Sequence, residues 1–149
     1  MNEETTPAQL ELEPINDRDF VLCMLADFAN RFSFQMGITL HTHGFLVSGV
    51  LISKTEFLEG VAAFVKTGLG PDAEGGLFDQ LAANSRKGDE LPKDEDKDYS
   101  AETRYLHLKN VQIMLPSQPA APGNPTVWRM RIDQISGFTI GQFGTAPSA

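Results

Sequence analysis

Residues 36–52 read MGITLHTHGFLVSGVLI, and the fold turns on this stretch. Met36, Ile38 and Leu40 alternate with Gly37, Thr39 and His41, the period of two that sends successive side chains to opposite faces of a half-buried strand. Thr42, His43 and Gly44 supply a short turn, and Phe45 to Ile52 is a second β-rich run, so the pair predicts an antiparallel hairpin. Gly49 inside the second run marks a bend, because a residue without a side chain lets a strand coil sharply.

Upstream of the hairpin the period is helical. Asn16 is placed to cap a helix, with Asp17 and Asp19 near the positive end of its dipole, and the pattern carries on to about Arg31. Phe20, Val21, Met24, Leu25, Phe28 and Phe32 recur at helical spacing, while Leu22 and Cys23 widen the apolar surface beyond one stripe. Such a helix is either deeply buried or covered by another chain, which makes Phe20, Met24 and Phe28 candidate self-contact residues. Residues 1–15, with two prolines, four glutamates and little apolar content, read as a disordered acidic arm.

Downstream, Ser53-Lys54-Thr55-Glu56 has the spacing of a capping box. Phe57, Leu58, Val61, Phe64 and Val65 then mark one helix face, with Gly68 as its stop. Pro71 and Asp72 open a second helical stretch that ends around Ser85, and residues 86–104, dominated by mixed charges, read as a mobile solvated loop. Tyr105 to Leu115 restores a β pattern whose parity switches near Asn110, the sign of a bulge. The proline-rich residues 116–125 form a loop, Trp128 to Asp133 alternates again, FTIGQF is a last strand, and residues 144–149 are a disordered tail.

The order of elements predicts an α+β domain over residues 16–143. It is a five-stranded, strongly bent antiparallel sheet or a small open barrel of Sm-like or SH3-like order, with an N-terminal helix and two inserted helices. That barrel analogy licenses no function.

The formal charge of -8 argues against an electrostatically driven nucleic-acid binder. The acidic excess lies mostly in the first nineteen residues, whereas the last third is mildly basic. No apolar run approaches a membrane span, and the acidic start is unlike a secretory signal. One cysteine excludes an internal disulfide.

Signatures of chemistry are weak. His41 and His43 flank a turn and His107 lies on a later strand, but no spaced carboxylate or thiol completes a metal site. Cys23 sits in an apolar helix segment and reads as core. There is no G-x-S-x-G elbow, and GLGPDAEGG over residues 68–76 lacks the Lys-Ser/Thr of a phosphate loop. The acids Glu56 and Glu59, and the run at 94–96, read as solvated faces. Trp128 shares a face with Met130 and Ile132 and reads as core, which turns Arg129 and Arg131 outward toward an acidic partner.

Three blocks in order, ADFANRFSFQMGITLHTHGFLVSGVLIS from Ala26, YLHLKNVQI from Tyr105 and VWRMRIDQISGFTIGQF from Val127, together resemble the gas-vesicle accessory family GvpU. KTEFLEG after the hairpin is similar to that family's amphipathic helix. The resemblance implies a cytoplasmic, non-enzymatic protein without cofactor or metal. It also implies association with gas vesicles and control of their clustering through self-association. Its partners would be the vesicle shell or other gas-vesicle proteins and further copies of itself, with neither nucleic acid nor lipid membrane among them. The alternative is a small-barrel RNA- or ligand-binding module; a metal-dependent enzyme built on the three histidines ranks last.

Overall fold

The computed structural model describes residues 18–70, 75–94, 97, 99–118 and 126–142. The expected acidic arm, the Asn16 cap, the Pro71–Asp72 start and the tail at 144–149 lie outside the described residues.

The first helix, α1 (Phe20–Phe32), begins later than the sequence suggests, because Asp19 itself is the cap. Its carboxylate accepts from the Val21 and Leu22 amides at 2.8 and 3.2 Å. Arg18 turns away instead and donates to the carbonyls of Thr103 and Ala101 at 2.7 and 2.9 Å. Ser33, in the left-handed region, ends the helix. The hairpin follows as β1 (Met36–His41) and β2 (Leu46–Ile52), in the expected antiparallel register.

Ser53 then caps α2 (Lys54–Leu69) by accepting from the Glu56 amide at 3.1 Å. Only half of the capping box forms, because the Glu56 carboxylate is held by Lys109 at 2.9 Å and Gln35 at 2.7 Å. The helix runs through Gly68 and ends at Gly70. Leu58 of the expected face is buried, together with Thr55 and Ala62, and Phe57, Val61 and Val65 are half-buried, but Phe64 is exposed.

The third helix, α3 (Leu77–Glu90), starts after Gly76 and extends beyond Ser85 into the segment expected to be a loop. Tertiary contacts hold that extra turn. Thr55 Oγ1 lies 2.6 Å from Ser85 Oγ and donates to Asp89 at 2.6 Å, while Arg86 pairs with Glu59 across the helices. The loop reading rested on the run of mixed charges; Arg86, Lys87 and Glu90 are themselves compatible with a helix, and packing against α2 carries it past Gly88 and Asp89. The charged segment also holds a short 3₁₀ turn at Ser100–Glu102.

The last strands are β3 (Tyr105–Met114), β4 (Trp128–Arg131) and, after a second 3₁₀ turn at Ile132–Gln134, β5 (Gly137–Ile140). The sheet order is β4-β3-β2-β1-β5, every described pairing is antiparallel, and the sheet is open, with β4 and β5 as its edges. A flat sheet of five strands would set its edges about 19 Å apart. The connection from Arg131 to Gly137, shortened by its 3₁₀ turn, reaches about 16 Å. The sheet therefore curls, and backbone bonds from Ile132 to the Arg104 carbonyl (2.9 Å) and from Ser136 to the His41 carbonyl (2.8 Å) tie the connection across its end.

The curl is also built into β3. Ser48 faces Gln112 and Val50 faces Lys109, so two residues, Asn110 and Val111, oppose Gly49. Asn110 takes φ 52°, the left-handed backbone of a bulge, which explains the parity switch. A Cβ on Gly49 would lie 2.9 Å from the Lys109 carbonyl oxygen, a backbone atom that cannot yield without breaking the ladder. Gly49→Val is expected to cost about 1–3 kcal/mol, read as a lowered urea midpoint with an unchanged slope. An unchanged midpoint would mean that the bulge relaxes freely.

One core sits between α1 and the sheet. It contains Leu22, Ile38, Leu40, Val47, Leu51, Leu106, Leu108 and Ile132, all fully buried, with Trp128 and Met130 half-buried against it. The aliphatic residues of the hairpin thus pack as their alternation predicts.

Candidate functional site

The helix α1 meets the sheet with its small side. Leu22, Cys23, Ala26 and Ala29 are buried, and the large residues expected to compete for the core point outward. Phe20, Met24, Phe28 and Phe32 follow one another every four residues and are 64%, 49%, 48% and 59% exposed, with Val21 beside them. Four large apolar side chains in a row on one helix make the stripe a candidate interaction surface, since scattered exposed hydrophobes are ordinary but a continuous stripe is not. The sequence left two outcomes for this helix, and among the described residues nothing buries the stripe.

The stripe is preorganised. Phe28 meets Phe32 at a tilt of 54° with ring centroids 4.7 Å apart and meets Phe34 edge-on at 5.3 Å. Arg31, in an ion pair with Asp27, lies over the Phe32 ring at 5.2 Å and gives the stripe a charged border. A second apolar hollow of about 250 Å³ lies between α2 and α3, where Leu69 and Leu77 are exposed.

The two arginines of β4 are outward, as the alternation predicts, but they are not equivalent. Arg131 is held by Asp133 at 2.5 Å, whereas Arg129 lies over the Tyr105 ring at 3.9 Å and has no ion-pair partner among the described residues. Trp128 packs at the edge of the core with its indole nitrogen buried and without a hydrogen-bond partner among the described residues.

The three histidines do not converge. His41 meets Thr139 Oγ1 at 2.9 Å, His43 is exposed at the turn, and His107 is buried on β3. Among the described residues, no group of three or more His, Cys, Asp and Glu side chains is arranged to hold a metal ion. Sequence reading placed His107 on a sheet face and missed its burial against Phe57, 4.8 Å away; the α2 helix that covers it has no pattern that names its partner. Desolvation, and then the charges of Arg129 and Lys54, push its pKa down to about 3. Cys23 is core, as expected. Burial pushes its thiol pKa up, and Arg18, which sequence reading overlooked as a neighbour, opposes that shift.

No helix among the described residues is long and apolar enough to cross a membrane. Against known families, residues 19–143 match the model described as Gas vesicle protein GvpU-like. The chain belongs to the GvpU-like family. The match runs from the α1 cap through β5, so the apolar stripe, the bulged sheet and the paired helices α2 and α3 all lie within the GvpU-like region. The resemblance carried by three separated blocks therefore extends over most of the chain. No curated protein and no solved structure matches. Membership in the GvpU-like family makes the chain a gas-vesicle-associated protein.

Proposed function

We propose that this GvpU-like chain is a non-enzymatic accessory protein of the cytoplasm that binds gas vesicles and modulates their clustering through self-association. The observation that carries the proposal is the exposed α1 stripe, in a chain whose family is one of gas-vesicle proteins. The occupant of the stripe is a second copy. Side chains spaced by four along a straight helix form a ridge about 18 Å long, and an antiparallel pair related by a two-fold axis places Phe20 of one copy against Phe32 of the other and Met24 against Phe28. The surface is thus complementary to itself, the condition for an isologous contact. Apolar contact supplies affinity, and Arg129 and Arg131 on β4 supply an electrostatic attraction to acidic partners, the vesicle shell or other gas-vesicle proteins. The net charge of -8 disfavours nucleic acid and anionic lipid as partners.

Co-flotation of the purified chain with isolated gas vesicles, over a range of salt and protein concentration and with clustering scored by microscopy, tests this. Binding accompanied by clustering is expected, and R129A/R131A is expected to lower binding at low salt but little at high salt. Absence of binding and clustering under every condition would overturn the proposal and favour the ligand-binding module.

A further inference from the structure

A cavity of about 380 Å³ opens where α1, the start of α2 and strands β3 and β4 meet, and its charges are unbalanced. Lys54, Arg104 and Arg129 line it, and none of the three has an ion-pair partner among the described residues. Two carboxylates line it as well, but each is engaged by a different cation. Asp27 pairs with Arg31 at 3.6 Å, and Glu102 pairs with Lys97 at 3.2 Å. Three cations with no ion-pair partner among the described residues converge on one cavity in a chain that carries twenty acids.

The wall of the cavity adds a polar group that the protein leaves unused. His107 is directly opposite Arg129 in the β3–β4 register, so both rise from the same face of the sheet. The imidazole is 3% exposed, and its Nε2 is buried without a hydrogen-bond partner among the described residues. A ring nitrogen without a partner among the described residues, beside cations that likewise have none there, is a cost that a ligand can relieve. Arg129 and Lys54 line the same cavity as this ring, and Arg129 is its direct cross-strand neighbour.

We propose that the Lys54–Arg104–Arg129 cavity binds a phosphate group, free or carried as the monoester of a small molecule. One carboxylate is satisfied by one guanidinium fork. Two forks and an ammonium together match the doubly charged, three-oxygen face of a phosphate, with Lys54 acting as a point charge and the arginines as planar donors. The cavity is larger than a phosphate alone requires, which leaves room for the remainder of a small ligand beside Asn30 and Tyr105. This site does not rest on the vesicle reading, and the isolated chain suffices to test it.

Titration of the full-length chain with inorganic phosphate and, separately, with AMP, followed by amide NMR shifts at fixed ionic strength, decides the matter. Saturable shifts at Arg104, His107 and Arg129 are expected with at least one of the two probes. K54A and R129A are each expected to weaken binding about tenfold or more, the loss of one charge-assisted hydrogen bond. R131A, whose arginine is already paired with Asp133, is expected to bind as the parent does. All three substituted residues are exposed, so unchanged amide spectra elsewhere verify folding. Tighter binding of AMP assigns the site to a phosphate monoester, and equal binding assigns it to free phosphate. The proposal is overturned if neither probe gives saturable shifts, or if K54A and R129A bind as the parent does.

Discussion

Between pH 6.5 and pH 3, His107 alone is expected to remove about 5 kcal/mol of folding stability. Burial against α2 is the main cause, and the nearby charges of Arg129 and Lys54 add to it; all favour the neutral ring. An unfolded chain protonates this imidazole as the pH falls below 6.5, while the folded chain resists until about 3. The contribution is therefore complete above pH 6.5 and drains away on acidification, at about 1.4 kcal/mol per pH unit inside that window. Urea unfolding at stepped pH, in buffer free of phosphate, should show the parent falling more steeply than H107Q by that slope. Carboxylates impose an acid dependence of their own, but it is common to both proteins and cancels in the difference. Parallel curves would show that folding leaves the pKa of the ring at its ordinary value.

The second large effect concerns the α1 stripe. M24E/F28E is expected to weaken self-association about a thousandfold or more, because each of these side chains contributes about 1.5–3 kcal/mol when buried and both copies lose two. The folded chain should be nearly indifferent, since both residues are about half exposed and on the side of α1 away from the core. Sedimentation velocity should therefore give a monomer with an unaltered melting temperature, and co-flotation should show vesicles no longer clustered. The two-fold arrangement adds a finer test. M24K/F28E places opposite charges against each other at both Met24–Phe28 contacts and should recover part of the association that M24E/F28E loses. A parent chain that stays monomeric at high concentration would rule out the stripe as a self-contact, as would M24E/F28E associating like the parent.

The strands were legible from sequence because each buries one face, so alternation writes the pleat directly into residues such as Met36, Ile38 and Leu40. The bulge was legible for the same reason: Asn110 interrupts the alternation, and Gly49 stands opposite it. Helix faces were harder. Period alone cannot say which side of a broadly apolar helix meets the sheet, and in α1 the small residues Ala26 and Ala29 took the inner side, excluding the phenylalanines. Phe64 on α2 was misplaced for the same reason. The end of α3 was missed because Thr55, thirty residues away, holds Ser85 through its hydroxyl, a contact without local trace. Of the candidate interaction residues, Phe20, Met24 and Phe28 could be named from spacing, and Arg129 and Arg131 from alternation. The cavity around His107 could not, because it assembles side chains from α1, α2, β3 and β4 that are far apart in the chain.

The short edge strands have a bearing on assembly. An open sheet offers unpaired amides and carbonyls at both borders, the template on which strand-by-strand, amyloid-type growth begins. Here β4 and β5 are only four residues each, and the curl imposed by the Arg131–Gly137 connection bends both borders away from the flat geometry that such growth needs. Cross-linking of copies by backbone pairing is thereby disfavoured, so that any contact between copies falls to side chains. At high local concentration a contact made by side chains can dissolve again, and a fibre cannot.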